Sequence, residues 1–137
     1  MDIEDKKLVL RIEDLIEKLY MLNLISYYPG FIDSSETEKF FKASNALVLP
    51  YQFIYQSGLP FLSFAMGTPV ISTDVGGISE DIIDNKTGYI IDKNNIMNGL
   101  RDFLNLKKDL LSSEEIVRLS KNKYNWEKII KKTIKLY

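Results

Sequence analysis

The feature that most constrains the fold is an alternation of short apolar runs with amphipathic segments between residues 25 and 106. The run Ala-Leu-Val-Leu at 46–49 ends at Pro50 and is typical of a parallel strand that helices cover on both faces. Three further runs predict strands, at 25–28, 69–72 and 89–91. Strands that alternate with helices pair in parallel. The sequence therefore predicts an α/β fold with a parallel sheet of four to five strands and helices on both faces.

Helical periodicity and capping signals place the helices. Apolar residues between 8 and 20 recur at helical spacing, which predicts a helix over 11–22, whereas 7–10 is equally consistent with a helix start or a short strand. Ser35 with Glu38, and Ser112 with Glu115, have the spacing of capping boxes. Further helices are predicted from Ser57 to Gly67, briefly around Glu80, and at about 94–108, 113–122 and 125–136.

Composition excludes several kinds of chemistry. The 137 residues include no Cys and no His, which excludes disulfides, Cys/His zinc sites, catalytic thiols and imidazole bases. A net charge of -1 argues against a nucleic-acid binder that relies on overall basicity. The sequence shows neither a signal peptide nor a membrane span, so we expect a cytoplasmic protein. The length fits one domain over 1–137, with a core at about 7–106 and terminal helices at 113–136.

Charge is concentrated in the last helices. Between Arg118 and Lys135 the chain has seven basic residues and one acid, although its net charge is -1. The final predicted helix places Trp126 and three isoleucines on one face and lysines on the other. We expect the apolar face to pack on the body of the protein, and a weak contact with an anionic membrane surface is the alternative.

Two glycine-containing loops are the candidate binding elements, because ligands of open parallel sheets bind at the carboxyl ends of the strands. Ser-Gly-Leu-Pro at 57–60 begins a helix, where unpaired amides favour an anion or a sugar hydroxyl. The alternative is that Ser57 only caps the helix. The glycine pair at 76–77, followed by Glu80, permits a nest of amides or simply a turn that needs positive φ. Tyrosines at 27–28 and 51–55 could stack on a base or sugar, but such aromatics more often cap a core.

In their order, these motifs resemble the carboxyl-terminal domain of GT-B glycosyltransferases, most closely family 4, the retaining enzymes of glycosyl transferases group 1. The motifs lie at 30–32, 46–50, 57–58, 65–71, 73–80, 87–91 and 124–126. The resemblance runs from about residue 8 to the end and implies a truncated Rossmann-like domain. Such a domain holds a nucleotide-sugar donor, such as a UDP- or GDP-sugar, without a metal or other cofactor. The acceptor binds a separate amino-terminal domain.

The sequence also departs from the family pattern. The first strand and loop, which supply an Arg and a Lys to the donor diphosphate, have no counterpart before residue 8, and the paired glutamates of the family fall on Ile54 and Leu62. Catalytic residues are therefore not assigned. The resemblance implies that residual donor binding would use Gly30, Phe31, Tyr51, Gln56, Ser57, Gly58, Leu59 and Glu80.

Two functions are consistent with this pattern. One is a glycosyltransferase fragment or subunit that transfers a sugar only when a separate acceptor domain is supplied. The other is a non-catalytic scaffold or interaction relic. A receiver-like switch is disfavoured, because the acids near 13–17 lie on a helix face. The missing strand predicts an open sheet edge or an apolar face, and hence a homodimer or a second protein chain as partner.

Overall fold

A computed structural model of the chain describes residues 3–106 and 110–136. Two compact units make up the chain, the first up to Ser34 and the second from Ser35 on. The first unit is built on α1 (Ile3–Met21), and residues 22–33 add no further helix or strand. The helix predicted over 11–22 is thus confirmed, and the ambiguous residues 7–10 belong to it.

The second unit contains the sheet and the remaining helices. Its elements in chain order are α2 (Ser34–Ala43), β1 (Leu47–Leu49), α3 (Leu59–Ala65), β2 (Val70–Thr73), a 3-10 turn (Ile78–Glu80), β3 (Gly88–Ile91), α4 (Ile96–Leu106), α5 (Ser113–Lys123) and α6 (Trp126–Ile134). The strands pair in the order β1-β2-β3, and both pairs are parallel. The predicted α/β architecture is confirmed, with three strands in the described part of the chain instead of four to five.

The missing strand is the one predicted at 25–28, and this prediction is wrong. The segment has no regular secondary structure, and Tyr27 and Tyr28 are more than half exposed. The strand preference of tyrosine reflects packing on a pleated, half-buried surface. Because the two rings here are not packed in that way, local composition alone does not make a strand.

The two faces of the sheet carry separate hydrophobic clusters. Successive strand residues point to opposite faces, so Val70 belongs to one cluster and Ile71 to the other. The first cluster is formed by Leu49, Phe64, Val70, Ile78, Ile82 and Ile116, and the second by Ile71, Ile91 and Phe103. α3 and α5 contribute to the first face and α4 to the second, which confirms helices on both faces.

β1 is less covered than its sequence predicts. Val48 is 41% exposed, although the run at 46–49 is typical of a strand buried on both faces. Val48 pairs with Ile71 and shares its face. α4 covers that face, but it packs against β3, on the far side of β2 from β1. The face of β1 that carries Val48 is therefore left partly exposed.

α5 and α6 begin with side-chain caps. The Ser112 hydroxyl accepts from the Glu115 amide (3.3 Å) and the Glu115 carboxylate accepts from the Ser112 amide (2.9 Å), which confirms the predicted capping box. At α6, the Asn125 side chain accepts from the Lys128 amide (3.1 Å).

The prediction that α6 packs its apolar face on the protein body is wrong, since α6 has no buried residue and Trp126 is 75% exposed. Periodicity determines that a helix has an apolar face, but not which surface that face meets. Within residues 3–106 and 110–136, no helix combines the length and the apolarity needed to cross a bilayer.

Candidate functional site

Two loops meet at the carboxyl edge of the sheet. β1 and β2 are parallel neighbours, so the loops that follow Leu49 and Thr73 leave the same edge. The Thr73 hydroxyl donates to the Tyr51 carbonyl (2.5 Å), and the buried Ser72 hydroxyl lies 3.2 Å from the Leu49 carbonyl. These bonds hold the start of the first loop against the end of β2, which places both loops on a rigid support.

Gly76 brings the two loops into direct backbone contact. Its φ is +60°, and a Cβ at this position would lie only 2.0 Å from the Ile54 carbonyl oxygen. The Gly77 amide donates to the Tyr55 carbonyl (3.1 Å). The turn with positive φ expected at this glycine pair is therefore present, and the close approach leaves no room for a side chain.

The start of α3 differs from the prediction in its cap. Gly58, not Ser57, is the N-cap residue, and it supplies no side-chain hydrogen bond. The Ser57 hydroxyl instead accepts from the Leu59 amide (3.3 Å) and lies 3.2 Å from the Tyr51 hydroxyl. The Leu59 amide, which belongs to the helix start expected to face a ligand, is thus already engaged by Ser57. Four of the predicted site residues, Tyr51, Ser57, Gly58 and Leu59, therefore lie in one cluster at the start of α3.

A cavity of about 300 Å³ opens between these loops and the end of α5. Its lining consists of Gln56, Ser57, Phe61, Gly77, Ile78, Glu80, Asp81 and Tyr124. Three of the eight predicted site residues, Gln56, Ser57 and Glu80, line it directly. The charged groups in the lining are carboxylates, and no Lys or Arg belongs to it. The cavity is therefore suited to hydrogen-bonding a neutral, hydroxyl-rich group.

Two predicted residues belong to the first unit. Gly30 adopts a φ of +110°, and Phe31 is 95% exposed. Tyr27 lines a groove in this unit, together with Glu13, Ile16, Glu17, Tyr20 and Pro29. The more common role expected for Tyr27 and Tyr28, capping a core, is not observed, because both side chains are more than half exposed and do not lie on a strand.

Asp81 and Tyr124 were not predicted as site residues. The Tyr124 hydroxyl donates to Asp81 Oδ1 (2.9 Å), and its ring packs edge-on against Phe61 with centroids 4.8 Å apart. Burial, together with the Asp81 carboxylate, raises the pKa of Tyr124 above its usual value, so the phenol stays protonated. Lys123 adds a bond from Nζ to the Glu80 carbonyl (3.0 Å) and lies 3.6 Å from Asp81 Oδ1.

The end of α5 thereby anchors the loop that forms one wall of the cavity. The only sequence signal for this contact was the Tyr-Asn-Trp motif at 124–126, since Asp81 and Tyr124 are 43 positions apart. In the part of the chain that the structure describes, no group of three or more carboxylates could hold a metal ion.

Comparison with known proteins decides the family. The family described as glycosyl transferases group 1 matches residues 5–131. The chain belongs to this family. A D-inositol 3-phosphate glycosyltransferase from Paenarthrobacter aurescens (strain TC1) is 26% identical over 130 residues, which cover 92% of the chain and 31% of that protein. An uncharacterised glycosyltransferase from Methanocaldococcus jannaschii is 30% identical over 144 residues, covering 98% of the chain and 39% of that protein.

A solved structure also resembles this glycosyl transferases group 1 chain. Sucrose-phosphate synthase from Thermosynechococcus elongatus matches it with a TM-score of 0.64 and 27% identity, over 93% of the chain and 33% of that structure. The predicted resemblance to this glycosyltransferase family, and the fold that it implies, are confirmed. The chain spans about a third of the length of these relatives.

The two positions where the resemblance implies glutamates are apolar in this glycosyl transferases group 1 chain. Ile54 is half-buried, and its carbonyl oxygen faces Gly76. Leu62 lies in the middle of α3 with 36% of its surface exposed. Neither side chain can accept a hydrogen bond from a sugar or ribose hydroxyl. The polar groups at this edge come instead from Gln56, Ser57 and Glu80.

Proposed function

We propose that the chain is the donor-binding part of a retaining GT-B glycosyltransferase, and that its cavity binds hydroxyl groups of a nucleotide-sugar. The observation that carries this proposal is the cavity itself, at the carboxyl edge of the sheet between the loops after β1 and β2. Ligands of open parallel α/β sheets bind at such edges. Family membership supplies the transferase chemistry.

The lining favours a sugar or ribose over a phosphate. The amide of Gln56, the hydroxyl of Ser57 and the carboxylate of Glu80 can exchange several hydrogen bonds with vicinal hydroxyls. The Glu80 carboxylate repels a diphosphate at the same place, whereas the charge of Asp81 is already paired with Lys123. A volume of about 300 Å³ lies at the small end of ligand pockets, which suits one sugar ring and not a whole nucleotide-sugar.

The donor diphosphate therefore requires cations from outside this cavity. A departing nucleoside diphosphate gains charge in the transition state, and preorganised positive groups stabilise that charge by several kcal/mol. The chain covers about a third of its relatives. We accordingly propose that sugar transfer needs a separate acceptor domain, which would complete the diphosphate site.

Titration of the isotope-labelled chain with UDP, GDP and their sugars tests donor binding. We expect amide shifts at 56–60 and 77–81 in the NMR spectrum at millimolar ligand or below, and no transfer by the chain alone. Glu80→Gln and Gln56→Ala should each weaken binding by about tenfold, as expected for a lost hydrogen bond to a buried hydroxyl. Gln52→Ala is the matched control, because Gln52 is an exposed glutamine of the same loop that does not line the cavity.

Ile54 and Leu62 favour the second candidate function, a non-catalytic scaffold. Apolar residues at both positions remove two carboxylates that the resemblance assigns to donor contacts. A scaffold predicts a folded chain whose amide spectrum does not respond to UDP, GDP or any of their sugars at millimolar concentration. That result would exclude donor binding and leave the scaffold function.

A further inference from the structure

One side of the cavity carries polar side chains that can only accept hydrogen bonds. Glu80, Asp81 and Tyr124 line this side. The two ionised carboxylates have no proton to give. The Tyr124 hydroxyl has one proton, which it already donates to Asp81 Oδ1 at 2.9 Å. We call these three residues the acceptor wall, because any of their side-chain oxygens that meets a ligand has to receive a hydrogen from it.

The direction of the bond between Tyr124 and Asp81 is fixed by the chemistry of the two groups. A phenol and an ionised carboxylate can bond only with the phenol as donor. Burial and the Asp81 carboxylate raise the pKa of Tyr124, so the phenol has its proton at neutral pH. The lone pairs of the Tyr124 oxygen are therefore all that it can offer to a ligand.

The backbone amides of Gly77, Glu80 and Asp81, on the same side of the cavity, are also engaged. The Gly77 amide donates to the Tyr55 carbonyl (3.1 Å). The amides of Glu80 and Asp81 donate to carbonyls within the turn itself, each at 3.2 Å. Because each amide has a single hydrogen, these three groups have none left for a ligand.

Donor groups lie on the other side of the cavity, in the loop after β1. The side-chain amide of Gln56 has two N–H bonds, and the Ser57 hydroxyl can donate or accept. A ligand that fills the cavity therefore has to give hydrogens to the acceptor wall, and it can receive them from Gln56.

Hydroxyl groups meet both requirements, since each can donate and accept. A carboxylate on the ligand has no proton for the acceptor wall, and the Glu80 charge repels it. From this arrangement we infer that the cavity selects donor sugars that present hydroxyls to the acceptor wall, and that it discriminates against nucleotide-linked uronic acids. The inference rests on the proposed donor binding and names its sugar class. It depends on bonds within the second unit, and not on which surfaces another domain covers.

Matched pairs of nucleotide-sugars test this selection. UDP-glucose and UDP-glucuronic acid differ only at C6, which is a hydroxymethyl group in the first and a carboxylate in the second. GDP-mannose and GDP-mannuronic acid form the equivalent pair. In a cavity of about 300 Å³, a carboxylate on the sugar ring lies within a Debye length of Glu80, about 8 Å in physiological salt.

Titrations of the isotope-labelled chain, followed by NMR, give the ratio of the two dissociation constants in each pair. For the nucleotide that binds, the acidic sugar should bind at least about tenfold more weakly than the neutral one, because it loses a hydrogen bond and meets a like charge. Raising the salt concentration should reduce this ratio, since screening weakens the repulsion.

Glu80→Gln removes the charge from the acceptor wall, keeps the length of the side chain and adds an N–H donor. The ratio should fall from about tenfold to near unity. Glu80 is exposed, so the variant should fold. Asp74→Asn is the matched control and should keep the ratio, because Asp74 is an exposed acid that follows β2 and does not line the cavity. A loss of stability alone would weaken both sugars equally and leave the ratio unchanged.

Two results would overturn this inference and leave donor binding intact. One is equal binding of the neutral and the acidic sugar by the wild type. The other is a wild-type ratio that persists in Glu80→Gln, which would show that the acceptor wall does not set it. Absence of amide shifts with all four nucleotide-sugars would refute the proposed donor binding, and this inference with it.

Discussion

At the scale of single residues, the wall of the cavity depends on a contact between side chains that are far apart in sequence. Tyr124 donates to Asp81 across 43 positions, and both groups are partly buried. The Asp81 carboxylate also receives Lys123 at 3.6 Å. Because burial and the Asp81 carboxylate raise the pKa of Tyr124 above its usual value, the phenol remains a donor at neutral pH.

Tyr124→Phe removes this donor and keeps the ring against Phe61. We expect the free energy of unfolding to fall by about 1.5–3 kcal/mol, the range for hydrogen bonds to charged groups, and donor binding to weaken because residues 77–81 lose their anchor. Urea denaturation followed by circular dichroism measures the first effect. Tyr55→Phe is the control, since Tyr55 is 79% exposed and should change stability by less than about 0.5 kcal/mol. Equal stability of Tyr124→Phe and wild type would contradict the assigned hydrogen bond.

The predicted site residues show what sequence can and cannot provide at this scale. The positions of Ser57 and Glu80 in the cavity lining could be predicted because each stands beside a glycine turn that follows a strand, which is a local signal, whereas Gln56 was named only through the family resemblance. Asp81 and Tyr124 could not be paired, since their contact depends on how α5 packs. The sequence does not determine which residue is the N-cap of α3. Gly58 has that position, and the hydroxyl of Ser57, the residue before it, accepts from the Leu59 amide because of backbone angles that the sequence leaves open.

At the scale of elements, prediction succeeded where a local interaction decides and failed where packing decides. The capping box of α5 is complete within four residues, so its sequence pattern is sufficient. The segment 25–28 and the apolar face of α6 have equally clear local patterns, but a strand needs a neighbour and an amphipathic helix needs a surface. The segment 25–28 and α6 differ from the prediction because the sequence of each segment does not specify the neighbouring strand or the surface that it needs.

The capping box also predicts how stability depends on pH. The hydrogen bond from the Ser112 amide lowers the pKa of Glu115 below its usual value of 4.5. A carboxyl with a lowered pKa in the folded state stabilises the protein above its unfolded pKa, and this contribution is lost as the pH falls through the folded value. Glu115→Gln should therefore be less stable than wild type at pH 7, and the difference should shrink as the pH falls below 4.5 and through the lowered pKa of the folded state.

Thermal unfolding of both proteins between pH 3 and pH 7 measures this difference. Glu114→Gln is the control, because it removes the same charge from the same helical turn without touching the bonds of the box. It should depend less on pH than Glu115→Gln does. A Glu115→Gln difference that stays constant over this range would show that the charge of Glu115 does not contribute.

At the scale of the whole molecule, a sheet of three short strands has to support a hydrophobic cluster on each face. β2 is the central strand, and all four of its residues are buried. Val70 and Ile71 connect the two clusters through adjacent peptide groups, so neither cluster is independent of the other. We therefore expect the second unit to unfold as one cooperative body.

Ile116→Val and Ile71→Val test this with the same substitution on opposite faces. Ile116 is 1% exposed in the first cluster and Ile71 is 3% exposed in the second, so each loses one buried methylene and should lower the free energy of unfolding by about 0.5–1.5 kcal/mol. In urea, each variant should show a single transition with an unchanged slope. Ile134→Val, at a site 69% exposed, should stay within about 0.5 kcal/mol of wild type.

Hydrogen exchange distinguishes one cooperative body from two. If the faces unfold together, both core variants lower the protection of β2 amides and of the opposite face by the same amount. If instead Ile71→Val weakens protection only in α4 and β3, the two clusters open separately. The loops of the cavity leave β1 and β2 and are tied to them by Ser72 and Thr73. If the two clusters unfold together, Ile71→Val, which removes a methylene beneath α4, should therefore also lower the stability of the loops that form the cavity.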